Sequence, residues 1–114
     1  MKNVLAKLNQ LPGVIGSSLV AEDGIVIASE LSAQIQDEVV GAMISAVGVS
    51  TTKSISRLKQ GDLNLVVVEA QKGKLFIHPT NKGFLGVFTE DDVNIGLIRI
   101  EITEAAEALN KAKI

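Results

Sequence analysis

Fourteen consecutive residues between Glu38 and Lys53 carry no charge, inside a stretch that otherwise reads as one long helix, Asp37 to Leu58 (DEVVGAMISAVGVSTTKSISRL). On a 3.6-residue period its side chains sort into three stripes. Val40, Met43, Ile44, Val47, Ile55 and Leu58 form a bulky one. Val39, Ala42, Ala46 and Val49 form a smaller apolar one, and Gly41, Ser45, Gly48, Thr52 and Ser56 form a third with almost no side chain. A helix on a protein surface has one apolar and one charged face. This one needs cover on more than one side. A central helix wrapped by its own domain is the simpler arrangement, but a chain of 114 residues has little material for two covers. The favoured reading lays one side on a sheet and offers the rest to partner chains.

The ends of the stretch fit a helix. Asp37 and Glu38 lie in the first turn and Lys53, Arg57 and Lys59 near the last, which complements the helix dipole. Gly61 is placed to stop it. Gly41 and Gly48 each cost about 1 kcal/mol of helix propensity relative to Ala. They stand seven residues apart on one face, so the close approach of another backbone is the expected compensation.

The rest of the chain supplies the sheet. Residues 2–11 place Val4, Leu5, Leu8 and Leu11 on one side of a short amphipathic helix, ended by Pro12-Gly13. Val14–Ala21 and Ile25–Ser29 read as two strands around the hairpin signal Asp23-Gly24. Both have small or apolar residues on both faces, as in a sheet covered on both sides. After the long helix, Leu63–Ala70, Lys74–His78 and Gly83–Thr89 form an antiparallel meander joined by turns at Gln71–Gly73 and Pro79–Lys82. Asp91–Ile114 satisfies strand alternation at Ile98, Ile100 and Ile102. Its Ala-rich second half and the Glu107–Lys111 pair favour helix. As a helix it leaves Ile100 off the buried stripe. The order is helix, two strands, helix, three strands, helix, which a single antiparallel sheet with helices on both faces satisfies.

If the strand Leu63–Ala70 lies at a sheet edge, its Val66-Val67-Val68 run has neither proline nor lysine to block pairing. Pairing with the same strand of a second copy satisfies it by two-fold symmetry and sets two long helices side by side. A homodimer is expected. Its contact set is Val39, Ala42, Ala46 and Val49 on the helix, with Asn64, Val66 and Val68 on the strand. The small stripe Gly41, Ser45, Gly48, Thr52 and Ser56, together with Arg57, is then the surface a further partner approaches, although the two stripes could exchange roles.

Composition removes several classes of function. Residues 1–114 are long enough for one domain, and 46% apolar with 21% charged residues describes a folded chain. No run approaches the ~18 apolar residues of a membrane span, and Met1-Lys2-Asn3 leads into an amphipathic segment rather than a secretory core. A cytoplasmic protein without membrane insertion is expected. With no cysteine there is no disulfide scaffold or thiolate chemistry. A net charge of −2, three Phe and no Trp or Tyr provide neither the basic footprint nor the stacking platform of a nucleic-acid binder.

The opening LNQLPGVIGSSLVAEDGIVIAS (Leu8 to Ser29), the helix after it, and Leu58-Lys59-Gln60-Gly61 leading into LNLVVVEAQKGKLFI resemble the roadblock-domain family. That family includes the dynein roadblock light chain, Ragulator subunits and bacterial MglB. The resemblance covers nearly the whole chain and points to a minimal, single-domain member. It implies an α+β, three-layer α/β/α fold with a five-stranded antiparallel sheet in the order 2-1-5-4-3. The long helix lies on one face and the N- and C-terminal helices on the other. It also implies dimerisation through the third strand and the long helix, with itself or a paralogous roadblock chain, and binding or scaffolding of small Ras-like GTPases.

The residues themselves offer no chemistry. His78 is the single histidine and precedes Pro79, which biases it to a strand end. It has no nucleophile near it in sequence and cannot build a multi-histidine metal site. Glu90-Asp91-Asp92 fits N-terminal capping and dipole compensation of the last helix better than cation binding. Neither a phosphate loop nor a G-x-G-x-x-G motif occurs. No cofactor, no metal and no enzyme activity are expected. The favoured function is a dimeric, non-catalytic platform for a small GTPase, acting on the partner's own switch loops. The alternative is a small-molecule-sensing domain of PAS or profilin-like shape, which needs a cavity with convergent polar groups.

Overall fold

The computed structural model describes residues 1–32 and 34–113. In chain order the elements are α1 (Lys2–Asn9), β1 (Val14–Val20), β2 (Val26–Leu31), α2 (Asp37–Arg57), β3 (Val66–Glu69), β4 (Gly73–Thr80), β5 (Gly83–Glu90) and α3 (Ile95–Lys111). The strands form one antiparallel sheet in the order β2-β1-β5-β4-β3. Both the fold class and the strand order are those the family resemblance implied.

Side-chain alternation along the strands splits the interior into two cores. Leu19, Phe76, Leu85 and Val87 point to one face, where they meet Leu5 and Leu8 of α1 and Ile98, Ile102 and Leu109 of α3. Val20, Leu75, Ile77 and Phe84 point to the other face, under Val40 and Ile44 of α2. Two polar positions in β1 are as buried as the apolar ones. Ser17 is satisfied from α1, its hydroxyl lying 3.1 Å from the Leu5 carbonyl and 2.9 Å from Asn9 Oδ1, and Asn9 in turn donates to the Glu30 carbonyl at 2.8 Å. This polar clamp ties α1 to both β1 and β2.

The hairpin between β1 and β2 turns where expected. Asp23 Oδ1 accepts from the Ile25 amide at 3.1 Å, and Gly24 takes a positive φ of 93°. Three other local expectations are corrected. The strand expected over Leu63–Ala70 shrinks to Val66–Glu69. Extending its register with β4 would set Asn64 opposite Pro79, which has no N–H to donate. Pro79 itself is not in a turn but lies within β4, which runs to Thr80. The last helix starts at Ile95, not at the acidic cluster. Asn94 is its N-cap, accepting from the Leu97 amide at 3.0 Å, while the carbonyl of Asp91 receives Lys74 Nζ.

Candidate protein-interaction surface

α2 is laid on the sheet by its smallest residues. A Cβ on Gly41 would run into the carbonyl oxygen of Gly24 in the β1–β2 hairpin, and one on Gly48 would come within 2.8 Å of three ring atoms of Phe84. Between them Ser45 donates its hydroxyl to the Glu22 carbonyl, and Ile44 fits into the space over Gly86. The two helical glycines and the serine are buried. They therefore do not present a surface to a second protein, contrary to the sequence reading. The close approach that the Gly41–Gly48 spacing demands is made by this chain's own hairpin and Phe84 ring. By length and composition the 21-residue α2 could cross a bilayer, but here Val40, Ile44 and Gly48 are spent on the sheet.

The remaining members of that set lie toward the C-terminal end of α2 and are exposed. Thr52 turns its hydroxyl back to the Gly48 carbonyl at 2.7 Å, while Ser56 and Arg57 face solvent together with Lys53.

The dimer set fares differently. Val39 is 60% exposed, and Ala42 and Ala46 are exposed beside it, on the side of α2 turned away from the sheet. Val49 is half-buried against the α2-side core. The structure adds Met43, which is exposed. Met43 had been assigned to the bulky stripe with Val40 and Ile44. Its i, i+4 relation to Val39 is the signal that places it on the outer face instead. Leu58, assigned to that same stripe, ends the helix and is exposed.

β3 is an edge strand with one paired side. Val66 packs with the α2-side core and Val67 with the opposite one, so Val68 shares the face of Val66 and stands 41% exposed. Asn64 is exposed in the segment leading into the strand. The apolar residues left open on α2 and on β3 are therefore on the same side of the sheet. An open strand edge combined with a large exposed apolar set is the physical description of an association surface.

His78 is half-buried, and its Nδ1–H donates to the Pro79 carbonyl at 2.8 Å. Among the described residues no three His, Asp or Glu side chains converge on a metal-sized site, and every buried side-chain nitrogen or oxygen has a hydrogen-bond partner.

Fold and surface together define a small α/β/α domain with an open sheet edge and an apolar helix face on one side. The chain belongs to the Roadblock/LC7 domain family, whose model matches residues 1–89. The uncharacterized protein MJ1340 of Methanocaldococcus jannaschii is 39% identical over 106 residues, covering 93% of each chain. MJ0310 of the same organism is 38% identical over the same length and coverage. Among solved structures, the Roadblock/LC7 domain from Streptomyces avermitilis is similar with a TM-score of 0.87 at 18% identity, covering 96% of this chain and 93% of that one. Myxococcus xanthus MglB is similar with a TM-score of 0.88 at 18% identity, covering 96% and 84%. At these identities the structural likeness speaks for the fold.

Proposed function

We propose that the protein is a homodimeric, cytoplasmic interaction module that binds and scaffolds or regulates a small Ras-like GTPase and performs no chemistry of its own. The observation that carries this reading is the shared side of the sheet on which Val39, Ala42, Met43 and Ala46 of α2 and Val68 of β3 are left open beside the half-buried Val66. Two β3 strands pairing about a two-fold axis would join two five-stranded sheets into one. The same operation brings two α2 helices onto one face, where their apolar residues cover each other. A paralogous roadblock chain could replace one copy. Membership of the family supports the choice of a GTPase as the further partner. For that contact the exposed part of the original set remains, Thr52, Ser56 and Arg57, with Lys53 beside them.

Two measurements test this reading. Light scattering across a dilution series should return about twice the 12.0 kDa chain mass, and Val39→Glu with Val68→Lys should return the single mass with the circular dichroism unchanged. Purified Ras-like GTPases from the source genome, loaded with GDP or a non-hydrolysable GTP analogue, should bind with a nucleotide preference that Lys53→Glu with Arg57→Glu removes. A wild-type monomer at every concentration sinks the dimer. A dimer that binds none of the GTPases in either state sinks the functional assignment.

A further inference from the structure

On the opposite side of the sheet, α1 and α3 lie antiparallel, with the end of α1 beside the start of α3 where Gly13 meets Val93. Between them runs a groove of about 290 Å³. Val4 and Leu8 of α1 and Leu11 just after it line one side. The α3 wall is Ala105 and Ala108, whose short side chains leave it hollow. Its rim is charged and asymmetric, with Glu101 and Glu104 along α3 and Lys7 along α1. Two large apolar residues of α3 stay in solvent next to this groove. Leu97, one turn before Glu101, is 37% exposed, and Ile100, one turn before Glu104, is 61% exposed. Ile100 is the residue that helical periodicity leaves off the buried stripe, and among the described residues it stays mostly uncovered.

We infer that this groove seats a basic amphipathic helix of a partner protein. Two antiparallel helices with small residues on one wall leave a channel into which a third helix packs by ridges and grooves. From Glu101 to Ala108 the channel runs seven residues of α3, about 10 Å or two helical turns. An apolar stripe on the occupant fills the hollow over Ala105 and Ala108 and reaches Leu97 and Ile100 at its edge. Glu101 and Glu104 select Lys or Arg at i, i+3 or i, i+4 on the flank that meets α3. The same carboxylates disfavour the other occupants. An anionic lipid surface meets an acidic wall, and a second α3 would bring Glu101, Glu104 and Glu107 against their own copies. The site lies on the face of the sheet away from α2, so it stands or falls independently of the GTPase reading.

The test uses the whole protein and two synthetic 18-residue peptides. Both carry leucine on one helical stripe, one with lysine and the other with glutamate on the flanks. Amide chemical-shift mapping with the lysine peptide should move Val4, Leu97, Ile100, Glu101 and Ala108, with ~tenfold tighter binding than the glutamate peptide at low salt. Glu101→Lys with Glu104→Lys, both at the rim, should reverse that preference while leaving the melting temperature in place. Equal binding of the two peptides, shifts confined to the α2 side, or no shifts at all would overturn the proposal. So would an apparent mass above the dimer that falls when Ile100 is replaced by Glu without any peptide, because a second copy would then be the occupant.

Discussion

Gly41→Ala is the substitution whose outcome depends most directly on how low α2 sits. In an isolated helix the change is favourable, because Ala exceeds Gly in helix propensity by about 0.8–1.0 kcal/mol. Here the added Cβ meets the Gly24 carbonyl oxygen well inside 3.0 Å and Val26 Cγ2 at 3.1 Å. The carbonyl is backbone and cannot rotate away alone. Its hairpin is held by Gly24 N–H to Ala21 O and by Ala21 N–H to Ile25 O, both at 2.9 Å. Either α2 lifts from the sheet or the hairpin moves, and overpacking of this kind costs about 1–3 kcal/mol. Set against that propensity gain, the net expectation is a loss of about 1 kcal/mol, the middle of a span from near zero to about 2 kcal/mol. Gly96→Ala is the control. It lies in the first turn of α3, where a Cβ would meet only Asn94 Oδ1 at 3.4 Å, so part of the propensity gain survives, about 0.5 kcal/mol. Urea unfolding at one fixed protein concentration reads both, since dimerisation of the kind proposed would make the midpoint concentration-dependent. The two midpoints should move in opposite directions with equal slopes. A Gly41→Ala protein more stable than the parent would refute the close contact between α2 and the hairpin.

Two further substitutions probe the supports of the site. Ser45→Lys should lower stability by at least about 2 kcal/mol, because it forces a charge into the position whose hydroxyl now bonds the Glu22 carbonyl; a stable, folded variant in thermal denaturation would return Ser45 to the candidate partner surface. Ser17→Ala should cost about 1–2 kcal/mol, since Leu5 O and Asn9 Oδ1 lose their shared donor in a buried setting, and hydrogen exchange in α1 should accelerate before that in β4 and β5; an unchanged α1 would show that the clamp is not what ties it to the sheet.

Much of the architecture was legible because each element carried its own period. The alternation in Leu75-Phe76-Ile77 and Phe84-Leu85-Gly86-Val87 marks two buried faces, and Asp23-Gly24 marks the hairpin. What failed did so for identifiable reasons. The acidic run Glu90-Asp91-Asp92 has the composition of a helix start, but Asn94 occupies the cap, and only hydrogen-bond geometry separates the two. Reading the strand back to Leu63 overstated β3 because strand length depends on the neighbour, and an extended register would set Asn64 across from Pro79. The bare stripe Gly41-Ser45-Gly48 was correctly seen as a site of close approach. Periodicity states that a face is small, not who comes near it, and here the visitor is the same chain.

That reassignment changes what the α2 surface must do. A helix resting on glycine and serine sits close to the strands, and the helical period then decides which of its larger residues meet the sheet. Val40 and Ile44 are on the inner side and become core. Val39 and Met43, one position away from them, are lifted clear and left exposed with Ala42 and Ala46. The exposed apolar stripe lies about half a turn round the helix from Gly41, Ser45 and Gly48, so the two faces are joined rigidly through α2. A larger residue at Gly41 or Gly48 would lift or tilt the helix and move the outer stripe with it. Dimerisation should therefore be sensitive to substitutions that never touch the partner. Gly48→Ala, whose Cβ meets the Phe84 ring at 2.8 Å, is expected to weaken association as well as folding if the two α2 helices form the interface.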